Sequence, residues 1–257
     1  MTQLGEAFLR LPMAHRALHD VARGRPENSR AAIRAAIAGG YGIEIDLQLS
    51  RDGVAMVFHD YDLHRLTGIR GAIRQRDAAE LGRIPLTGGD EGIPTLVEVL
   101  DLVAGRAPML IELKDQHGRM GETDGTLERA VADDLRGYAG DVALMSFNPH
   151  PVIRLAQLCP DVPRGIVTSA YDPQDPGWGM LGAQTRDRLR AIPDYDAAGA
   201  VFISHELADL DRPRVAELKA QGAVIFCWTV RSPAEEARAR AVADNITFEG
   251  YLAAHPT

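Results

Sequence analysis

Cysteine is scarce. The 257 residues include two, Cys159 and Cys227, too few for a disulfide framework or a zinc site. They read as reduced core thiols, with a single bridge between them as the alternative. No apolar run approaches the ~18 residues that span a bilayer, so no integral membrane association is expected. Met1–Pro12 carries acid and base around a very short apolar stretch and does not read as a secretory signal. With two unpaired thiols, this points to the cytoplasm. Positive charge is not in excess either. Lys+Arg total 28 against 36 Asp+Glu, a formal net charge of −8, which gives no reason to expect a nucleic-acid partner. If the substrate is an anion, the charge that attracts it must be local. A repeat of fixed period is missing, and no glycine-rich dinucleotide fingerprint follows the first strand-like run.

What is there is the composition of a soluble globular protein, 25% charged and 46% hydrophobic. Its length suits one closed α/β barrel domain over 1–257, with a short insertion at about 60–94. Short apolar runs alternate with helical patterns. The strand-like runs are Pro12–Arg16, Gly42–Leu49, Val54–His59, Met109–Lys114, Val142–Phe147, Arg164–Thr168, Ala200–Ser204, Val224–Val230 and Asn245–Thr247. Helical patterns cover Ser29–Ala38, Thr95–Ala104, Thr126–Tyr138, His150–Leu158, Arg212–Ala220 and Pro233–Ala243, with a short helix at Arg76–Leu81. Repeated βα units imply a parallel sheet with helices outside it. One connection breaks the rule. Only Ser50-Arg51-Asp52-Gly53 joins the second and third runs, too short for a parallel crossover, so this pair is an antiparallel hairpin. Setting the return strand aside leaves eight strands, a (β/α)8 TIM barrel with an extra hairpin strand after strand 2.

Ile43-Glu44-Ile45-Asp46-Leu47-Gln48-Leu49 alternates without a fault. In a barrel the apolar face meets the helices, and Glu44, Asp46 and Gln48 point inward. Met109–Lys114 repeats the arrangement, with Glu112 and Lys114 at the C-terminal end, where barrel active sites sit. Buried carboxylates need compensation. Three of them without a nearby cysteine favour a hard divalent cation, Mg²⁺ or Ca²⁺. The bland alternatives are a solvated edge strand and a simple Glu112–Lys114 ion pair.

A two-residue hairpin turn returns His59 opposite Glu44; a three-residue turn returns it opposite Ile45. His15 ends the first strand beside it. Two imidazoles flanking a carboxylate cluster, with Arg16 and Lys114 nearby, suit phosphoryl chemistry on a diester. Cations neutralise the nonbridging oxygens, and the imidazoles move the protons. The other histidines, His64, His117, His150, His205 and His255, fall in loops or helix starts and read as surface residues. His19 sits in a loop that opens toward the site. The long connection at 169–185 is expected at the pocket rim.

At these residues the chain resembles the glycerophosphodiester phosphodiesterase family. His15-Arg16, Glu27-Asn28-Ser29, Glu44-Ile45-Asp46, Asp52-Gly53, His59-Asp60, Leu63–Gly68, Ile93-Pro94-Thr95-Leu96, Glu112-Leu113-Lys114, Ser146-Phe147-Asn148 and Trp228-Thr229-Val230 follow in family order. The resemblance implies metal-dependent hydrolysis of a glycerophosphodiester, a small-molecule substrate, to glycerol 3-phosphate and an alcohol. Carried across, Glu44, Asp46 and Glu112 bind the metal, and His15 and His59 are the acid–base pair. Arg16 and Lys114 hold the phosphate, and Trp228 walls the pocket or packs in the core. A lyase forming a cyclic phosphate and a non-catalytic phosphate-binding barrel are the alternatives. Two departures stand out. Ala17 replaces a family glycine, and Thr247-Phe248-Glu249-Gly250-Tyr251 replaces a Thr-Asp-x-Pro closing segment, where Glu249 is a candidate replacement for the acid but is assigned no role. Headgroup, choice of metal and oligomeric state are not legible.

Overall fold

The computed structural model describes residues 3–255; the extreme ends of the expected 1–257 domain lie outside them. Helix α1 (Ala7–Arg10) precedes strand β1 (Met13–Ala14), and α2 (Arg30–Ala38) leads into β2 (Gly42–Leu49) and its return strand β3 (Ala55–Val57). Short helices α3 (His64–Thr67) and α4 (Ala78–Leu81) lie in the long connection that follows β3. Then α5 (Leu96–Val103), β4 (Met109–Leu113), α6 (Thr126–Asp134), β5 (Val142–Ser146), α7 (Pro149–Leu158), β6 (Arg164–Thr168), α8 (Ala183–Ala191), β7 (Phe202–Glu206), α9 (Pro213–Ala220), β8 (Val224–Val230), α10 (Pro233–Arg240) and β9 (Asn245–Phe248) alternate.

The ring runs β1-β9-β8-β7-β6-β5-β4-β2 and closes through parallel pairing of β1 with β2. It is the expected eight-stranded barrel. Strand β3 hangs outside it, antiparallel on β2, with Leu47 opposite Val57 and Leu49 opposite Ala55. Ser50 N–H donates to Val54 O, and Gly53 turns at φ 84°, which makes a three-residue turn and brings His59 back level with Ile45.

Two apolar layers hold the barrel. Ile43, Ile45, Leu47 and Leu49 join the layer between strands and helices. Phe8, Met13, Leu110, Met145, Phe202 and Phe226 fill the interior. The acidic strand is buried along its whole length, which discards the solvated-edge alternative. Helices start where the sequence caps them. Ser29 Oγ accepts from Ala32 N, Thr95 and Glu98 form a capping box, and Asn148 caps α7 just before Pro149.

Some boundaries differ from expectation, each for a local reason. Strand β1 stops at Ala14, because Arg16 and Ala17 both turn to positive φ, 53° and 64°. Helix α8 gave no periodic signal, because Leu189 is its one buried residue. Strand β7 runs on through His205, which is fully buried rather than a surface residue. Its Nδ1 meets Thr168 Oγ1 at 2.7 Å and its Nε2 meets Asp209 O at 3.0 Å; with both ring nitrogens satisfied the ring can leave water. Both cysteines are free, Cys227 buried on β8 and Cys159 half-buried beyond α7.

Candidate active site

The C-terminal ends of β1, β2, β4, β8 and β9 deliver the site. Glu44 and Asp46 project from β2 and Glu112 from β4, all buried. Asp46 lies beside Glu112 in the parallel register. One ligand atom from each of the three carboxylates falls within 4.8 Å of the others. Lys114 Nζ reaches Asp46 Oδ1 at 2.9 Å and Glu112 Oε1 at 2.8 Å, so the lysine serves both acids rather than Glu112 alone. Arg16 N–H donates to Glu44 Oε2 at 2.8 Å, and Asn28 Nδ2 donates to Asp46 Oδ2 at 2.9 Å. Arg16 Nε stands 3.6 Å from Asp46 Oδ2, and its Nη1 donates to Glu27 Oε1 at 2.8 Å.

Charge is not balanced inside this cluster. Burial, with Asp46 and Glu112 adding repulsion, pushes the Glu44 carboxyl well above the usual carboxylate range. Burial raises Glu112 too, against the pull of Lys114. Asp46 is held far below its usual range because Lys114 and the neighbouring cations outweigh its burial. Lys114 stays charged, since Asp46 and Glu112 overcome its own burial. A divalent cation fits here. The donors are all oxygen, they converge, and the repulsion that drives Glu44 toward its neutral form is what such an ion removes.

Two imidazoles face the same space. His15, His59, Glu44 and Glu112 all line one cavity of about 140 Å³. Each ring is anchored through Nδ1 by a carboxylate: His15 by Glu249 Oε2 at 2.6 Å, His59 by Asp60 Oδ1 at 2.7 Å. A nitrogen facing a carboxylate carries the hydrogen. Nε2 is then the working atom of each ring, and neither has a protein partner among the described residues. Burial lowers the His15 pKa, opposed by the Glu249 hydrogen bond. Glu249 itself is held far below its usual range, since His15, His19 and Arg231 outweigh its burial. Arg65 ties the second anchor down, donating to both oxygens of Asp60 and of Glu27. Gln48 Nε2 donates to the His59 carbonyl.

All eight residues singled out in the sequence line this cavity or its acidic floor, Trp228 included. Reasoning from sequence left Glu27, Asp60, Arg65 and Glu249 without roles. Asp60 and Glu27 stand in recognisable motifs, and Glu249 stands in the closing segment that departs from the family's, with nothing local to tie it to His15. His19 lies in the same network, its Nε2 3.5 Å from Glu249 Oε2. His64, His117 and His255 are exposed as expected. A second cavity of about 880 Å³ opens outward and shares Arg16, His59, Glu112, Lys114, Phe147 and Trp228 with the first. Trp178 and Leu181, from the 169–185 connection, form part of its wall.

Charged groups converging at the C-terminal mouth of a (β/α)8 barrel define the class, a barrel enzyme that works on a charged substrate. The model of the glycerophosphoryl diester phosphodiesterase family matches residues 15–244. The chain belongs to that family and is a phosphoric diester hydrolase. YhdW of Bacillus subtilis (strain 168) is 29% identical over 240 residues, covering 90% of each protein. A glycerophosphodiester phosphodiesterase of Bacillus altitudinis is 36% identical over 154 residues, 56% of this chain and 61% of the relative. Among solved structures, an Oleispira antarctica phosphodiesterase in complex with the product sn-glycerol-3-phosphate superposes with a TM-score of 0.76. The two are 24% identical, and the match covers 96% of this chain and 95% of the other. Among the described residues no helix is long and apolar enough to cross a membrane.

Proposed function

We propose that the chain, acting as one barrel domain, hydrolyses glycerophosphodiesters to glycerol 3-phosphate and an alcohol with a divalent cation and a histidine acid–base pair. The observation that carries this is the pairing of two carboxylate-anchored imidazoles with an under-compensated carboxylate triad on one 140 Å³ cavity. A related fold that holds glycerol 3-phosphate as product supports the same reading.

Glu44, Asp46 and Glu112 would hold the cation, Mg²⁺ or Ca²⁺. When bound it supplies charge that stabilises the phosphorane-like transition state and acidifies an oxygen ligand. Arg16 and Lys114 hold the nonbridging oxygens. Lys114 is kept charged by Asp46 and Glu112, so it lends its positive end without a proton to lose. One imidazole Nε2 takes the proton from the attacking oxygen, that of a water or of the substrate's neighbouring hydroxyl, and the other gives a proton to the leaving alkoxide; where the hydroxyl attacks, a water then opens the cyclic phosphate to glycerol 3-phosphate. Glu249 and Asp60 hold the rings in the tautomer that leaves Nε2 available. Trp228, its Nε1–H donating to Ser204 O at 3.0 Å, walls the cavity. The free cysteines fit a cytoplasmic setting.

The test is metal-stripped protein with several glycerophosphodiesters, Mg²⁺ or Ca²⁺ added in turn, and an assay for glycerol 3-phosphate. Metal-dependent release is expected, lost in His15→Ala and His59→Ala variants that keep the wild-type fold. Near-wild-type rates in either variant would end the histidine mechanism. Phosphorus NMR that shows a lasting cyclic phosphate would make the enzyme a lyase.

A further inference from the structure

We propose that the outer half of the pocket is a subsite for a cationic leaving-group alcohol, one carrying an ammonium or quaternary ammonium a few bonds from the phosphate. This rests on the phosphodiesterase reading above and adds which diester it prefers.

The balance of charge shifts along the pocket. The inner cavity carries Arg16, Lys114 and Arg231, which suit the phosphate, beside Glu44 and Glu112. The outer cavity keeps Arg16, Lys114 and Glu112 and adds Asp62, Asp115 and Asp175. Among the described residues none of these three has an ion-pair partner. Asp62 accepts from the His64 and Gly71 N–H groups, Asp115 from Met120 N–H and Asn148 Nδ2, and Asp175 from Gly177 N–H. Of the cations on that side, Arg65 is taken up by Glu27 and Asp60, Arg16 by Glu27, and Lys114 by Asp46 and Glu112. A phosphate held inside would therefore direct its alcohol toward three uncompensated carboxylates. A neutral polyol gains hydrogen bonds but no charge attraction from them, an anionic headgroup is repelled, and an acyl chain would be laid on charge.

Part of the pocket wall is aromatic, which is an independent observation. Phe147 and Trp228 line both cavities, with ring centroids 5.4 Å apart and planes at 88°. Trp178 continues the wall outward, 4.9 Å from Phe147. Tyr171, fully buried, backs Trp178 at 4.9 Å. Ring faces attract cations, most strongly quaternary ammonium groups, and carboxylates lining the same pocket add to the attraction. The 169–185 connection supplies both Trp178 and Asp175, so this one segment sets the preference.

The chain has two tryptophans, and both line this pocket, so intrinsic fluorescence reads the subsite directly. Choline is the probe and 3,3-dimethylbutan-1-ol its uncharged isostere. Saturable quenching by choline, with affinity about tenfold or more above the isostere, is expected. Trp178→Ala should weaken choline at least fivefold. Asp175→Asn, isosteric and still able to accept the Gly177 bond, should weaken it without disturbing the loop. In the kinetic arm, kcat/KM for glycerophosphocholine should exceed that for glycerophosphoglycerol about tenfold, and both variants should narrow that ratio. Equal binding of choline and its isostere would make the wall merely apolar and overturn the proposal. So would equal or faster turnover of the neutral diester. If neither diester is cleaved, the phosphodiesterase reading fails, and the choline titration still decides the subsite.

Discussion

Glu249 Oε2 lies 2.6 Å from His15 Nδ1, joining side chains 234 residues apart at the seam where β9 meets β1. The same carboxylate takes Arg231 Nε at 2.8 Å through its other oxygen. It therefore fixes the His15 ring in orientation and tautomer from outside the cavity, and its charge favours the imidazolium. Glu249→Gln keeps the shape and removes the charge. The expected result is a kcat lower by about 10- to 100-fold with KM little changed. The pH limb that His15 governs should move to lower pH, because its pKa loses an upward contribution. Unchanged kcat and an unchanged profile would reduce Glu249 to a structural contact.

The carboxylate triad makes a separate forecast for stability. Without a cation Glu44 is pushed toward its neutral form, so Glu44→Gln should leave metal-free stability nearly unaltered. The wild type should gain about 2.7 kcal/mol at a free ion concentration a hundredfold above Kd, or roughly 5–10 °C in Tm for a chain of this size. Glu44→Gln and Asp46→Asn should lose that rise. Calorimetry with and without Mg²⁺ or Ca²⁺ checks it, independently of any substrate.

Much of the fold was legible because barrel strands carry strong signals. The alternation of residues 43–49 named both faces of β2, and the Ser50–Gly53 gap allowed only a hairpin. The triad followed from the same alternation and the parallel register. What stayed hidden was non-local or masked by weak patterning. Glu249 acts on a residue at the other end of the chain. Helix α8 buries one leucine, too little for a period to show. His205 reads as a surface group when the strand ends at Ser204, and its burial depends on partners contributed by Thr168 and Asp209. The sequence allows two hairpin registers, and the three-residue turn selects one of them.

Ala17 stands in a backbone conformation that suits glycine. Its φ of 64° is the left-handed region that glycine adopts freely, and its N–H donates to Glu44 O at 2.9 Å, which ties the strained turn to the acidic strand. An alanine there costs about 1–2 kcal/mol, partly offset by the greater freedom glycine has when unfolded. Ala17→Gly should therefore raise stability by up to about 1 kcal/mol, read by urea unfolding. A loss of stability would show that the Ala17 methyl, which packs in the apolar layer, outweighs the strain.

The buried His205 sets the last expectation, on acid. Its Nε2–H donates to Asp209 O and its Nδ1 accepts from Thr168 Oγ1, so the ring is neutral in the fold. Burial lowers its pKa below the usual 6.5, against the raising effect of Asp209. The unfolded chain takes up a proton near pH 6.5 while the folded chain does not. The contribution of His205 to unfolding free energy should thus be flat above about pH 7 and fall as pH drops below 6.5. The slope should ease once pH passes beneath the folded-state value. His15, also lowered by burial, adds to the slope with the same sign. His205→Phe should remove part of the slope and leave the part due to His15. It should also cost about 1–3 kcal/mol at neutral pH, because Thr168 Oγ1 and Asp209 O lose a partner. Urea titrations between pH 5.5 and 8 on both proteins decide it: a slope identical in wild type and variant would clear His205 of any part in the acid response.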